Sequence, residues 1–254
     1  MYKYKLVVAY EGTAYGGWQI QHNAASVQST IETVLYTLLQ VPIALHGSGR
    51  TDAGVHALAQ VAHFTAPFSL DVTKTLLSLN CLLPPDIRVT SLEEVPLSFH
   101  ARYSASAKIY HYHLHLDRVI DPFTRHYTYH VPHRVDKKCL ESAASFLIGT
   151  YDFTSFANEA HLGSAARDPV RTLSRLDLCE EPGGIRLEFE GNGFLYKMVR
   201  NITGTLLDIC AGKIAPHTLP AIREAKDRRQ AGRAAPAHGL FLAEVKYSTE
   251  SLSI

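Results

Sequence analysis

Long apolar runs, clustered cysteines and a surplus of charge of either sign are all missing from this 254-residue sequence. No stretch approaches the roughly 18 to 20 consecutive apolar residues that a membrane span needs, and the run Leu6-Val7-Val8-Ala9 is too short for the core of a secretory signal. A soluble, cytoplasmic protein is the expectation. The cysteines, Cys81, Cys139, Cys179 and Cys210, stand dozens of residues apart, which fits neither a zinc ribbon nor a small disulfide scaffold, so buried reduced thiols are expected. With 25 Lys and Arg against 24 Asp and Glu, the chain also lacks the basic excess usual in nucleic-acid binders. Any polyanion site must therefore be a local patch. What the sequence does have is 46% hydrophobic residues, enough to bury a sizeable core in one large or two modest domains and to exclude a disordered chain.

Charge is spread evenly between the halves, at 6 Lys and Arg against 7 acids before residue 108 and 19 against 17 from it onward. One local excess stands out, because Arg102 to Lys138 holds 7 Lys and Arg, 3 acids and 6 histidines, a surface that could face phosphates. A solvated face of mixed charge is the plainer reading.

Lys5 to Tyr10 is apolar and β-prone, and Val27, Ile31, Val34, Leu35 and Leu38 recur at helical spacing behind Ser26 as cap. Ala59 to Thr65 reads as a strand. Asp71 heads a helix carrying Val72, Leu76 and Leu79, which Pro84-Pro85 closes before a strand at Ile87 to Leu92. In the second half Tyr110, Tyr112, Leu114 and Leu116 alternate with His111, His113 and His115, the period of a strand with one apolar and one polar face. A return strand at His126 to Val131, a helix from Asp136 with Gly149 beyond its end, and a hairpin turning at Glu181-Pro-Gly-Gly184 follow. Helices at 198–210 and 218–229 and a strand at 240–247 complete an α+β pattern: a mainly antiparallel sheet backed by helices. Two halves of similar element order, 1–107 and 108–254, are expected, with one sheet shared between them and a cleft.

The segment Gly47-Ser-Gly49-Arg50-Thr51-Asp52-Ala53-Gly54-Val55-His56 draws attention to chemistry, since its glycines allow a tight loop that presents Arg50 and Asp52 to one space. It lacks the spacing of a Walker phosphate loop. Asp52 reads either as a turn-forming residue or as a carboxylate kept ionised by a neighbouring cation. The three alternating histidines lack a nearby cysteine or carboxylate cluster to complete a metal site. Tyr110 reads by default as a core tyrosine, and Lys197 and Arg200, three apart, as two cations on one helix face.

Taken in order, these segments resemble the TruA-type tRNA pseudouridine synthases, which isomerise uridines at positions 38, 39 and 40 of the anticodon arm. The resemblance runs through Tyr10-Glu-Gly-Thr-Ala-Tyr-Gly-Gly-Trp18-Gln, Ser26-Val-Gln28, Gly49-Arg-Thr-Asp-Ala-Gly-Val-His56, Phe99-His-Ala-Arg102 and Lys108-Ile-Tyr110-His-Tyr112. It continues through Asp152-Phe-Thr-Ser-Phe156, Phe194-Leu-Tyr-Lys-Met-Val-Arg-Asn201 and Gly239-Leu-Phe-Leu242, and so covers nearly the whole chain. It implies the pseudouridine synthase fold, with Asp52 as the catalytic aspartate, Tyr110 packed against the target base and Arg200 paired with Asp52. Arg50 and Arg102 would line the RNA site. It implies no cofactor, no metal and a homodimer with tRNA lying across both subunits.

Three positions depart from the family pattern: His111 stands where arginine is common, Lys197 where histidine is frequent and Ala234 where threonine is usual. They bear on RNA affinity and local packing, because Asp52, Tyr110 and Arg200 are intact. Two other classes stay open on the residues alone. A silent RNA-binding protein of the same fold would fail an isomerisation assay, and a metal-dependent hydrolase built on the histidine strand would show its metal in elemental analysis.

Overall fold

The computed structural model describes residues 1–133, 135–158 and 168–248. Two compact units divide the chain, one formed by Met1–Lys108 and the C-terminal strand from Phe241 onward, the other by Ile109–Leu240. The expected division after residue 107 falls beside this boundary. The last strand, expected with the second half, groups instead with the first.

In the first unit, β1 (Tyr2–Tyr10) lies antiparallel between β3 (His56–Ala66) and β4 (Ile87–Val95), with the short β2 (His46–Gly47) also on β3. The C-terminal β10 (Leu240–Tyr247) joins β3 in parallel, setting Phe241 opposite His56 and Leu242 opposite Ala57. Alternation along β1 buries Tyr4, Leu6 and Val8. Two amphipathic helices contribute to this core, α1 (Val27–Leu39) with Val27, Ile31 and Leu35 and α2 (Val72–Leu82) with Leu79. Both caps are those the sequence suggests. Ser26 forms a reciprocal capping box with Ser29, and the Asp71 side chain accepts a hydrogen bond from the Lys74 backbone N–H.

The strand β5 (Ala105–His115) carries the chain into the second unit. There the sheet order is β5, β9 (Gly184–Gly191), β8 (Val170–Glu181), β7 (Gly149–Asp152). β8 and β9 form the expected hairpin, and Gly183 takes the positive φ of +74° that its turn requires. The helices α3 (Lys137–Ser145), α4 (Met198–Cys210) and α5 (Leu219–Glu224) belong to this unit. α4 is buried on most sides, and α3 packs against it and against β8.

Two expectations change here. The return strand is reduced to β6 (Tyr129–His130), which pairs with β5 in parallel, because successive turns held by Thr124 and Tyr127 N–H groups replace a hairpin. The helix expected to reach residue 229 stops at Glu224. Lys226 adopts the left-handed region at φ 50°, and the Asp227 side chain takes the Arg229 N–H to start a separate 3₁₀ turn, Arg228–Gln230. Among the described residues, no helix is long and apolar enough to cross a membrane.

Candidate active site

Between β2 and β3 the chain forms the loop that carries Arg50 and Asp52. Asp52 opens a tight turn in which its carbonyl accepts a hydrogen bond from Val55 N–H at 3.1 Å, and Gly54 adopts φ +76°. The loop is held by the buried side chains of Ser48 and Gln60 and by the half-buried Lys108. Ser48 Oγ donates to Gln60 Oε1 at 2.7 Å, Gln60 Nε2 donates to the Gly49 carbonyl at 3.0 Å, and Lys108 Nζ donates to the Ser48 carbonyl at 2.7 Å. Tyr10 and Thr51 share a hydroxyl hydrogen bond of 2.8 Å, and burial, the largest influence, keeps the Tyr10 phenol protonated far above the usual range. These contacts satisfy groups that would otherwise be costly to bury and fix the backbone on either side of Asp52.

A second brace comes from the glycine-rich segment after β1. Trp18 N–H donates to the Thr51 carbonyl, and Gly12 N–H donates to His56 Nδ1 at 3.0 Å. This is possible only because the backbones nearly touch. A Cβ on Gly12 would lie 2.0 Å from the Val55 carbonyl oxygen, and one on Gly17, whose φ is +101°, would lie 2.4 Å from the Thr51 carbonyl oxygen. The loop is therefore clamped between β3 below and the segment of residues 12–18 beside it. Asp52 is half-buried and Arg50 exposed, so the clamp presents both at the surface of the unit.

Arg102 lies elsewhere in the same unit, exposed on the turn of residues 99–104, with its guanidinium 5.8 Å from the Tyr103 ring centre. His46, on β2 just ahead of the Asp52 loop, connects the two places through its ring, 6.1 Å from that of His100.

Tyr110 and Arg200 belong to the second unit. Tyr110 is buried on the apolar face of β5 and meets Phe194 edge-on at 5.0 Å, so its ring sits in a fixed orientation. Arg200, in the first turn of α4, donates from Nε to the Ala235 carbonyl at 2.8 Å, while its own carbonyl accepts from Ala235 N–H. The segment that carries Ala234 and Ala235 is thus tied to the arginine at two points. Lys197 does not share Arg200's helix face as its spacing suggests. It is the N-cap of α4 at φ 61°, outside the helix, with its ammonium 5.2 Å from the Tyr196 ring.

The histidine face of β5 is not the open polar face that alternation suggests. His113 Nδ1 lies 2.7 Å from Glu181 Oε2, and His111 Nε2 lies 3.8 Å from Glu188 Oε1. Those carboxylates are bound in turn by arginines. Arg186 reaches both Glu181 and Glu188, and Arg175 reaches Glu188, Asp177 and Glu190. Burial would raise the Glu188 carboxyl, but hydrogen bonds from Arg175 and Arg186 outweigh it and pull the pKa down to about 2. Among the described residues, no group of three metal-ligating side chains is assembled.

Sequence reasoning missed Lys108, Gln60 and Ser48 as supports of the loop. The signal available was Gln60, because a polar side chain on the largely apolar strand β3 must be satisfied inside; Ser48, in the bend after β2, and the half-buried Lys108 carry no such signal.

A family model for tRNA pseudouridine synthases matches residues 6–104 and 143–248. The chain belongs to this family. Among its curated relatives it is 55% identical over 252 residues to the tRNA pseudouridine synthase A 1 of Protochlamydia amoebophila, an alignment spanning 99% of this chain and 98% of that one. It is 46% identical over 246 residues to the tRNA pseudouridine synthase A of Chlamydia muridarum, covering 95% of this chain and 91% of that one. The corresponding protein of Acetivibrio thermocellus is 43% identical over 243 residues, with 96% and 98% covered.

Proposed function

We propose that the protein isomerises uridine to pseudouridine at positions 38, 39 and 40 of the tRNA anticodon arm, with Asp52 as its catalytic carboxylate and without a cofactor. The observation that carries this reading is the clamp on the Asp52 loop: a half-buried carboxylate on a backbone braced from two sides has the fixed placement that catalysis by position demands.

The reaction moves no atoms out of the nucleoside. The bond between N1 and the sugar C1′ breaks, the detached uracil turns, C5 bonds to C1′, and the proton that C5 loses is matched by the one N1 gains. One ionised carboxylate suffices to start it, either by adding to the sugar or base or by taking a proton from the sugar. A closed pocket must retain the base while it turns. Tyr110, fixed edge-on by Phe194, would bear on the extruded base; extrusion costs a few kcal/mol and stacking on an aromatic ring returns about 1 to 3 kcal/mol. In the same reading Arg200 is the counter-ion of Asp52, Arg50 and Arg102 contact the RNA, and the protein works as a cytoplasmic homodimer. The near-neutral charge of +1 supports the dimer, because two copies supply a composite surface that one lacks.

Asp52→Asn tests the assignment. It should bind unmodified tRNA within about tenfold of wild type, a change of about 1.4 kcal/mol, because affinity is spread over many phosphate contacts. It should form no pseudouridine. Substantial turnover in Asp52→Asn would return Asp52 to a turn-forming role, and a fully active monomer in sedimentation would remove the dimer.

A further inference from the structure

Three histidines and a tyrosine in the first unit form a connected series of rings that the Asp52 chemistry does not use. His63 is buried on β3. Its ring stacks on that of His46 at 5.1 Å and meets that of His100 edge-on at 4.6 Å. His100 in turn lies 4.3 Å from Tyr103, which is 77% exposed. Arg102 stands over the outer ring, 5.8 Å from its centre.

The inner histidines are held neutral. Nδ1 of His63 accepts the Ala101 N–H at 3.1 Å, and Nδ1 of His100 accepts the Arg102 N–H at 3.1 Å. A ring nitrogen that accepts a hydrogen bond carries no proton, so these rings serve as flat aromatic supports and not as cations. The same bonds fix the turn, along with Ser104, whose N–H donates to the His100 carbonyl at 2.9 Å and whose Oγ accepts the His100 N–H at 3.0 Å. Tyr103 is thus exposed yet oriented. Two permanent cations lie close by: Lys3, which acts on both His63 and His100, and Arg102, which acts on His100.

We propose that Tyr103, Arg102 and the histidines beneath them form an RNA subsite in which an unpaired nucleobase stacks on the Tyr103 ring and a neighbouring phosphate meets the Arg102 guanidinium. A ring and a guanidinium set side by side match the alternation of flat base and anionic phosphate along a single strand. The rigid turn lowers the ordering cost that an exposed side chain ordinarily incurs on binding. The subsite rests on the reading of the protein as an enzyme of tRNA and adds to it a place where the RNA is held apart from the reacting uridine.

The test is equilibrium binding of an unmodified tRNA transcript to the full-length protein over a range of salt, with isomerisation measured in parallel. Tyr103→Ala should weaken binding about five- to 150-fold, the equivalent of about 1 to 3 kcal/mol, and Tyr103→Phe should stay within about twofold. Tyr103→Leu, apolar but not aromatic, should resemble the alanine variant. Arg102→Gln should lower the slope of log affinity against log salt by about one phosphate contact. Unchanged affinity in both Tyr103→Ala and Tyr103→Leu would overturn the subsite, whether the surface is then idle or meets a protein partner. A wild-type protein that forms no pseudouridine in any tRNA would refute the proposed function, while the binding series still decides the subsite.

Discussion

Replacing Gly17 by alanine should disable the enzyme while leaving Asp52 chemically untouched. The new methyl carbon would stand 2.4 Å from the Thr51 carbonyl oxygen and 3.0 Å from the Asp52 carbonyl carbon, so the loop must retreat by at least about 0.6 Å. Both obstacles are backbone, so no side-chain rotation relieves them. The φ of +101° adds a strain of about 1 to 3 kcal/mol for any residue with a Cβ. Displacement of a catalytic group by about 1 Å costs on the order of 100-fold in rate, and that is the expected loss in single-turnover isomerisation. Gly212→Ala separates the two effects: its φ is also positive, +72°, yet a Cβ there meets nothing within 4 Å. That variant should lose about 1 kcal/mol of stability in urea unfolding and keep its rate. If Gly17→Ala isomerised tRNA within twofold of wild type, the argument that the glycine clamp positions Asp52 would be refuted.

The remaining expectations concern pH and packing. Burial, reinforced by the charges of His100, His46 and Lys3, lowers His63 from 6.5 to about 4, so the unfolded chain binds that proton more readily. Stability should therefore be full above about pH 6.5 and fall by about 2 to 3 kcal/mol towards pH 4, and urea titrations of His63→Gln should show a flatter profile in this window; parallel curves would refute it. Glu188, drawn down to about 2, acts at lower pH: its contribution is present above about pH 4.5 and lost towards pH 2. Glu188→Gln should cost about 1 to 2 kcal/mol at pH 7, since Arg175 and Arg186 keep other carboxylates, and equal thermal stability of the two proteins would show the network to be idle. Tyr110→Phe should reduce turnover less than Tyr110→Ala if stacking is the role of the ring, whereas equal damage would implicate the hydroxyl.

Elements with a clear period or a local cap are legible in the sequence, and elements decided by distant partners are not. The helix Met198–Cys210 and the strand Leu240–Tyr247 agree with their sequence expectation because their apolar spacing runs their whole length. Ser26 and Asp71 announce their helices because an N-cap acts on residues two or three positions away. The two-residue strands β2 and β6 are too short to show any period. Alternation at His111 and His113 identifies a face correctly, yet what lies across it, Glu181 and Glu188, stands some 70 residues further on and is brought there by sheet order. Gly12 and Gly17 are visible as glycines, but their reason, contact with the Asp52 loop, exists only in three dimensions. Lys197 fails for a related cause: spacing assumes a helix, and the helix begins one residue later.

The parallel pairing of β10 with β3 imposes a timetable on the protein's own synthesis. His56, which receives the Gly12 N–H beside the Asp52 loop, has its ring covered by Phe241 at 4.6 Å. About 185 residues separate the two positions, so at about 5 to 20 residues per second a ribosome needs on the order of ten to forty seconds between making the loop and supplying its cover. Through that interval the first unit waits with the His56–Ala57 end of β3 lacking its β10 partner, and its closure is a long-range event of the kind that slows folding. A nascent chain interrupted before Phe241 would carry the whole Gly49–His56 segment yet lack the strand that seals it. Maturation of the Asp52 loop is thereby coupled to the synthesis of Leu240–Tyr247.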